Sequence, residues 1–236
     1  MNVPPESSPR VTRTRARGAI PAVWAAIALF VAVVALLGSA VRGGFDPLLR
    51  LDTTVSDALY VGDHRATAVD WLLRALTSPG LSVFRLVLAV PVLVLLARRR
   101  AWWTALWVLT AVVLIGPLTA VLKNFFGRVR PGFPGGGAQY DTLSFPSGHS
   151  SGIATLVTVG LVVAWPLMSA RGRRVWLLIG AVLVLVVGLT RIWLGVHYPS
   201  DVLGGWALGV GWTLLVALAF GALPGGRAAL RPRTAE

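Results

Sequence analysis

The amino-acid sequence predicts an all-α polytopic membrane protein, a bundle of six transmembrane helices. Of its 236 residues, 56% are hydrophobic and 13% are charged, and the mean hydropathy is +0.74. An ordinary soluble domain is much less apolar. A helix needs roughly 20 apolar residues to cross a hydrocarbon core of ~30 Å, so the long apolar runs of this chain are candidate spans. No internal repeat and no β-type alternation competes with this interpretation.

Six apolar runs follow one another, separated by polar segments. The second and fifth runs have 17 and 16 residues, so each could instead be a buried helix. The first could be a cleaved signal peptide, but its 22 residues exceed the apolar core of about 7 to 15 residues that such peptides have, which favours a retained anchor. The predicted spans cover residues 20–41, 81–97, 102–122, 151–168, 175–190 and 202–223.

Arginine clusters occupy alternate gaps between the spans and orient the bundle. Cytoplasmic loops carry an excess of Lys and Arg close to the membrane, so six spans with both termini in the cytoplasm place all of these clusters inside. Tryptophans lie beside the same clusters, at the headgroup depth that such rings prefer. The clusters are Arg10, Arg13, Arg15 and Arg17; Arg98, Arg99 and Arg100; Arg171, Arg173 and Arg174; and Arg227, Arg231 and Arg233.

Both ends of the chain are predicted to be polar cytoplasmic tails. Residues 1–18 are predicted to be disordered, residues 19–223 form the membrane domain, and residues 224–236 form the second tail. The net charge of +13 follows mostly from topology, and the scattered arginines make no single basic face, so nucleic acid is not an expected partner. The absence of cysteine excludes disulfides and thiolate chemistry.

The predicted outer loops, residues 42–80, 123–150 and 191–201, hold cations on the side where few are expected. Lys123, Arg128 and Arg130 follow the third span, and Arg191 begins the last loop. Any one of them could be a cation that extends from a helix end to the interface. Four converging cations in a partly dry site are what a dianionic phosphate requires.

The stretch SFPSGHSSG stands directly before the fourth span. Ser147 and Gly148 would then lie at a helix N-terminus, where free N–H groups and the positive end of the helix dipole attract anions. A plain serine cap with a flexible glycine is the alternative for this tetrapeptide alone. His149 has no capping advantage and is placed to donate a proton, which favours a functional site.

The stretch RIWLGVHYPSD precedes the sixth span, and Pro199 suits the first turn of its helix. Asp201 then lies in that turn, four residues after His197. This spacing lets the carboxylate accept from one imidazole nitrogen and leaves the other lone pair free to attack. A His–Asp pair alone is more often a structural hydrogen bond, but here it lies near a second histidine and the outer cations.

Three ordered motifs resemble the signatures of the type 2 phosphatidic acid phosphatase (PAP2) superfamily, over roughly residues 50–222. Thr190 departs from the pattern, because the family often has serine there, but both side chains carry a hydroxyl. The matching residues are Lys123 with Arg130 and Pro131; Pro146, Ser147, Gly148 and His149; and Arg191, His197 and Asp201.

The resemblance implies a PAP2/haloperoxidase-like bundle and a membrane phosphatase that needs no metal or other cofactor. His197 would attack phosphorus to give a phosphohistidine, Asp201 would orient it, and His149 would protonate the leaving oxygen and later help to activate water. Arg128 lies outside the motif and is a weaker candidate. The implied phosphate ligands are Lys123, Arg130, Arg191, Ser147 and the Gly148 amide.

A site at the bilayer surface predicts a lipid phosphate as substrate. An arginine-rich composition suggests a bacterium, so we expect the plasma (inner) membrane, an extracytoplasmic site, and a polyprenyl diphosphate such as undecaprenyl diphosphate as the favoured substrate. Phosphatidic acid or phosphatidylglycerol phosphate is the next expected substrate after the polyprenyl diphosphate. A phosphotransferase using the same intermediate and a non-catalytic lipid transporter are the alternatives, although such a transporter would be expected to lose its nucleophile.

Two further expectations concern the outer loops. In the first loop, apolar residues recur at helical spacing at Leu51, Val55 and Leu59, which fits either contact with the interface or packing against the bundle. Its acidic residues offset its arginines, which predicts a solvated face. The Gly-rich stretch at 131–141, with Gly135, Gly136 and Gly137, suggests a mobile lid over the site.

Overall fold

In this computed structural model the described residues are 9–62, 64–133, 142–224 and 226–230, with the backbone alone for residues 9–19. They form eight α-helices. The helices are α1 Pro9–Arg42, α2 Asp46–Leu59, α3 Thr67–Thr77, α4 Ser82–Arg98, α5 Trp102–Phe126, α6 Gly148–Ala164, α7 Ala170–Trp193 and α8 Pro199–Phe220.

The number of membrane spans agrees with the sequence prediction. Five helices, α1 and α5 to α8, are each long and apolar enough to cross a bilayer. The candidate for a sixth span is the pair of α3 and α4, which the short 3-10 turn Ser78–Gly80 joins with a bend of 50° between the two arms. The all-helical membrane fold is therefore confirmed, and the second span is one arm of a bent pair.

The ends of the helices differ from the apolar runs that predicted them. Helix α6 begins at Gly148, three residues before the predicted span, because Ser147 caps it by accepting a hydrogen bond from Ser150 N. Helix α1 begins at Pro9, so residues 9–18 are helical, where the sequence predicts a disordered tail over 1–18. Residues 1–8 lie outside the described part of the chain.

The chain after α8 folds back on α5. Ala228 is buried and its carbonyl accepts a hydrogen bond from Thr104 Oγ1 at 2.8 Å. The Arg227 guanidinium lies 4.0 Å from the ring centroid of Trp103, a cation–π contact. Residues 226–230 are therefore packed against the protein, where the sequence predicts only a polar tail.

Helix α8 lies at the centre of the bundle, packed against α6, α1 and α5. Glycines let its backbone approach α6 closely: a Cβ at Gly209 would lie 2.4 Å from Ser151 O, and a Cβ at Gly205 would lie 2.6 Å from Ser147 O. Small residues allow such close helix contacts inside membranes. This contact fixes the N-terminus of α6 beside the N-terminus of α8.

The first outer loop contains α2 and α3, and its orientation corrects the sequence prediction. Asp52 and Ser56, four residues apart on α2, are buried, whereas Leu51 and Leu59 are exposed. Both ends of the apolar stripe of α2 thus face outward, while Val55 between them is half-buried, so the core-packing alternative does not hold for Leu51 and Leu59. The prediction of a solvated charged face is wrong for Asp52. In α3, by contrast, Leu73 is buried against Leu194 and Val196.

The predicted lid at 131–141 falls mostly on residues 134–141, which lie outside the described residues.

Candidate active site

The predicted site residues come together where four helices end on one side of the bundle. Lys123 lies in the last turn of α5 and Arg191 in the last turn of α7. Gly148 is the first residue of α6, and Asp201 lies in the first turn of α8. Residues that are distant in sequence are thus gathered at one end of the membrane domain.

A backbone hydrogen bond joins two of these helix ends. Ser147 N donates to Asp201 O at 2.9 Å, and the missing Cβ of Gly205 leaves room for this approach. The motif that contains His149 and the motif that contains His197 are therefore held together through main-chain atoms. Their relative position depends on the packing of α6 against α8.

The His197 ring is buried, and Asp201 orients it. The Nδ1 atom of His197 lies 3.2 Å from Asp201 Oδ2, which also accepts a hydrogen bond from Tyr198 N at 3.0 Å. An ionised carboxylate only accepts hydrogen bonds, so this network assigns the proton of the neutral ring to Nδ1. The lone pair is then on Nε2, as the four-residue spacing predicts.

Arg130 covers that lone pair. Its Nη1 atom lies 3.2 Å from His197 Nε2 and donates to Val196 O at 2.7 Å. Its Nε atom donates to Thr142 O at 2.7 Å. Arg130 thus lies at the nitrogen that would attack phosphorus.

The pKa of His197 is well below its usual value. Burial is the largest cause, and the neighbouring positive charges of Arg130, Arg191, Lys123 and Arg128 act in the same direction. The imidazole is therefore neutral at neutral pH, with its Nε2 lone pair unprotonated. Neutrality is the state that a nucleophile needs.

Arg128 lies deeper than a phosphate ligand would, behind Asp201. Its Nη1 atom donates to Asp201 Oδ1 at 2.8 Å and to Ser200 Oγ at 2.7 Å, and its Nη2 atom donates to Asp52 Oδ2 at 2.6 Å. The guanidinium also stacks 4.0 Å from the ring centroid of Tyr198. Arg128 therefore holds the carboxylate that orients His197. Its contribution to the site is larger than its position outside the motif suggests.

Asp52 and Ser200 complete this support, and sequence reasoning missed both. Asp52 accepts from Ser200 N at 2.9 Å and from Ser200 Oγ at 2.5 Å, and all three groups are buried. The signal that could have found Asp52 is its spacing of four residues from Ser56, which places two polar side chains on one face of α2. Helix α2 is thereby fixed to the N-terminus of α8.

The two remaining cations lie on opposite sides of the site. Lys123 Nζ donates to Leu143 O and, at 3.4 Å, to Ser144 O. Arg191 is buried, and its Nη1 atom donates to Thr77 Oγ1 at 3.2 Å. Lys123 thus approaches the site from α5, and Arg191 connects it to the end of α3.

Ser147 and His149 occupy different environments. The Ser147 hydroxyl oxygen is buried and accepts from Ser150 N and Ser150 Oγ, so the contacts are those of a helix cap. This leaves its hydroxyl hydrogen for a ligand. His149 packs against Gly80, where a Cβ would lie 2.8 Å from the Cβ of His149. The bend between α3 and α4 therefore supports His149.

A cavity of about 380 Å³ opens beside this constellation. Lys123, Gly148 and His149 line one part, and Arg85, Ile115 and Gly116 line another. Among the described residues, no group of three or more His, Cys, Asp or Glu side chains is arranged to hold a metal ion. The cavity offers cations, the His149 imidazole and helix-end N–H groups, which suit an anion.

Fold and site together define an integral membrane protein with a histidine–aspartate pair inside a cluster of cations that suits a phosphate group. The profile of the PAP2 superfamily matches residues 82–223, more than half of the chain, and the protein belongs to the PAP2 superfamily. The predicted family is confirmed.

Relatives with known names are membrane lipid phosphatases. A phosphatidylglycerophosphatase B of Bacillus subtilis is 36% identical over 59% of this chain and 71% of its own length. A decaprenylphosphoryl-5-phosphoribose phosphatase of Mycobacterium tuberculosis is 39% identical over 56% of this chain and 73% of its own. The crystal structure of a transmembrane PAP2 type phosphatidylglycerolphosphate phosphatase from Bacillus subtilis matches with a TM-score of 0.67 and 27% identity, over 84% of this chain and 94% of that one.

Proposed function

We propose that this protein hydrolyses a phosphate ester or diphosphate of a membrane lipid through a phosphohistidine formed on His197. The observation that carries the proposal is the state of His197: neutral, fixed by Asp201 through Nδ1, and with Nε2 directed at Arg130. A structural histidine would not need a lone pair held among four cations. The family membership supports the same chemistry.

In the first step of the proposed reaction, His197 Nε2 attacks phosphorus and the bond from phosphorus to the lipid oxygen breaks. Protonated His149 gives its proton to that oxygen, so the lipid leaves with a free hydroxyl group, or as a lipid phosphate when the substrate is a diphosphate. Water then attacks the phosphohistidine, and His149 takes up the proton. Inorganic phosphate leaves, and both histidines return to their starting states.

Positive charge supplies most of the catalysis in this scheme. The phosphoryl oxygens carry the charge of the transition state, and phosphoryl transfer depends mainly on positioning and neutralisation. Lys123, Arg130 and Arg191 neutralise these oxygens, and the Gly148 N–H and the Ser147 hydroxyl donate to them from the N-terminus of α6. These side chains take the place of a metal ion, so we propose a metal-independent reaction.

The substrate proposal follows from the depth of the site and from the relatives. The site lies at the ends of membrane helices, where a lipid headgroup is presented. The sequence favours a polyprenyl diphosphate, then phosphatidic acid or phosphatidylglycerol phosphate, and the relatives named for phosphatidylglycerophosphate support a high place for the last. All three remain candidate substrates.

We also propose that the site faces the outside of the plasma membrane, with both termini in the cytoplasm. The arginine clusters at 98–100 and 171–174 lie at the helix ends opposite the site. The rule that cytoplasmic loops are rich in Lys and Arg supports this orientation.

Phosphate release from a panel of lipid phosphates in detergent, with a chelator present, tests the proposal. The wild-type protein should release phosphate without an added acceptor, and the His197→Ala variant should release none. Asp201→Asn should reduce kcat by orders of magnitude, because the amide favours the wrong ring tautomer. Rapid quenching should trap an acid-labile phosphoryl group on the wild type. Activity that survives His197→Ala would exclude the covalent mechanism.

A further inference from the structure

Arg85 is a buried cation that the proposed reaction does not use. It lies in the first turn of α4, and 3% of its surface is exposed. Its Nε atom donates to Val112 O at 3.0 Å and its Nη2 atom donates to Ser82 Oγ at 3.4 Å. A charged side chain inside the membrane domain is costly and marks a functional position by default.

The charge of Arg85 has no counter-charge in the described part of the chain. The ion pairs there involve Arg50, Arg65, Arg74, Arg128 and His197, and none involves Arg85. Its hydrogen-bond acceptors, Val112 O and Ser82 Oγ, are a neutral carbonyl and a hydroxyl, which compensate a guanidinium only in part. An arginine that merely extends to the interface would be exposed there, and Arg85 is not.

Arg85 instead lines the same cavity as His149, Lys123 and Gly148. A Cβ at Gly152 would lie 2.5 Å from Arg85 Nη1, so this glycine makes room for the guanidinium. Gly152 follows Gly148 by one helical turn, about 6 Å along α6. The guanidinium therefore lies one turn deeper in the membrane than the helix end proposed to hold the transferred phosphate.

The direction of this offset relates Arg85 to the leaving group. The nucleophile and the leaving oxygen lie on opposite sides of phosphorus in an in-line displacement. His149, the proposed proton donor to the leaving oxygen, lines the cavity together with Arg85. Whatever is bonded to the leaving oxygen thus extends into the space that Arg85 faces.

Resting on the proposed function, we propose that Arg85 forms a second anion subsite, which binds a second phosphate carried by the leaving group of the lipid. Two kinds of lipid present that chemistry: one whose terminal phosphomonoester is joined through glycerol to a phosphodiester, and a polyprenyl diphosphate. Phosphatidic acid has no second phosphate. The subsite therefore makes the protein selective for lipids with two phosphates.

The offset of one helical turn favours the first of the two lipids. A diphosphate has its phosphorus atoms one bridging oxygen apart, which is shorter than the ~6 Å between Gly148 and Gly152 along α6. A three-carbon linker spans that distance.

Steady-state kinetics on the full-length protein in detergent test the subsite. Arg85→Gln should lower kcat/KM for phosphatidylglycerol phosphate by about 10- to 100-fold, the range for a lost charged hydrogen bond. It should lower the value for phosphatidic acid by less than about 3-fold, and Arg85→Lys should retain most of the selectivity. The loss of kcat/KM for undecaprenyl diphosphate distinguishes the two kinds of lipid. A loss equal to that for phosphatidylglycerol phosphate assigns the subsite to both lipids, and a smaller loss assigns it to the glycerol-linked lipid.

Gly116 offers a matched pair of variants in case Arg85→Gln fails to fold. A Cβ at Gly116 would lie 3.8 Å from Arg85 Nη2, an ordinary contact. Gly116→Asp should neutralise Arg85 in place and remove the selectivity, while Gly116→Ala tests the added volume and should preserve it.

Binding of soluble probes separates this inference from the proposed function, because it needs no turnover. Propane-1,3-bisphosphonate should bind the wild-type protein more tightly than propylphosphonate, and Arg85→Gln should abolish the difference. If the protein preferred the bisphosphonate but hydrolysed no lipid, the second subsite would be supported and the proposed phosphatase function would be rejected. Equal losses on all three lipids, or no loss on any, or equal affinity for the two probes, would each overturn the subsite.

Discussion

Arg128 allows the support of the proposed nucleophile to be tested apart from the chemistry. It donates three hydrogen bonds of 2.6 to 2.8 Å to Asp52, Ser200 and Asp201, all of which are buried. Arg128→Ala would leave two buried carboxylates without their shared counter-ion. Breaking a buried pair by removing one partner typically costs about 3–5 kcal/mol, so the melting temperature should fall by on the order of 10 °C.

The effect on catalysis should be selective. Asp201 would lose one of the groups that fix it, and the His197 ring would lose its orientation. A small misplacement of a reacting group can cost about 100-fold in rate, so kcat should fall by roughly 10- to 100-fold. KM should change little, because Arg128 binds Asp201 and Asp52 rather than the cavity.

Two measurements check this account. Intrinsic fluorescence of the ten tryptophans reports the melting temperature in detergent, and phosphate release reports kcat and KM. Arg50→Ala is the control, because its ion pair with Asp46 is exposed and its loss should leave both quantities unchanged. An Arg128→Ala protein that melts and turns over like the wild type would refute the idea that Arg128 positions Asp201.

A double-mutant cycle then isolates the buried charge. Asp52→Asn removes one of the two carboxylates that Arg128→Ala strands, so the double variant should be less destabilised than the sum of the single variants. The expected coupling is about 0.5–3 kcal/mol. Strict additivity would mean that the 2.6 Å contact between Arg128 Nη2 and Asp52 Oδ2 contributes nothing to stability.

Two further predictions concern the pH dependence of stability and the helix contact that joins the motifs. The pKa of His197 is lowered in the folded protein, so the unfolded chain binds more protons below pH ~6.5. The free energy of unfolding should therefore fall on acidification by at most about 1.4 kcal/mol per pH unit. His197→Asn should show a correspondingly shallower decline in melting temperature between pH 7 and pH 5, and parallel curves for the two proteins would contradict the pKa shift. Gly209→Ala would place a Cβ 2.4 Å from Ser151 O and should lower the free energy of unfolding by about 1–3 kcal/mol. Gly160→Ala is the control, because nothing lies within 4 Å of its new Cβ, and it should be neutral or stabilising. Equal melting temperatures for the two variants would argue against the close contact.

The membrane fold was predictable because its cause is local. Each span is an apolar run with a length set by the bilayer, so α5 begins at Trp102 in both prediction and structure. The ends that differ depend on other information. Helix α6 starts at a polar cap, and the apolar run of α4 does not show that α4 is one arm of a pair bent by 50° against α3.

The site was predictable only as far as motif residues go. His197, Asp201, Arg130 and Lys123 carry the family pattern, and the structure places them together. Arg128 and Asp52 belong to no motif, and their ion pair spans 76 positions of the chain. A charge-balanced loop gives no sign that one of its carboxylates is buried, so this pairing becomes visible only once α2 is packed against α8.

The contact between Arg130 and His197 suggests how substrate and nucleophile are matched in the proposed mechanism. In the free protein, Arg130 Nη1 is shared between Val196 O and His197 Nε2, both neutral acceptors. A guanidinium binds an anionic phosphate oxygen more strongly than a neutral acceptor, because the opposite charges attract. In the proposed mechanism an arriving phosphate therefore draws Arg130 away from the ring. The nucleophile is then uncovered by the same anion that it attacks. The uncovered nitrogen then faces phosphorus rather than water, so the imidazole stays unprotonated. Three of the cations that lower the pKa of His197, namely Lys123, Arg130 and Arg191, are those proposed to bind its substrate.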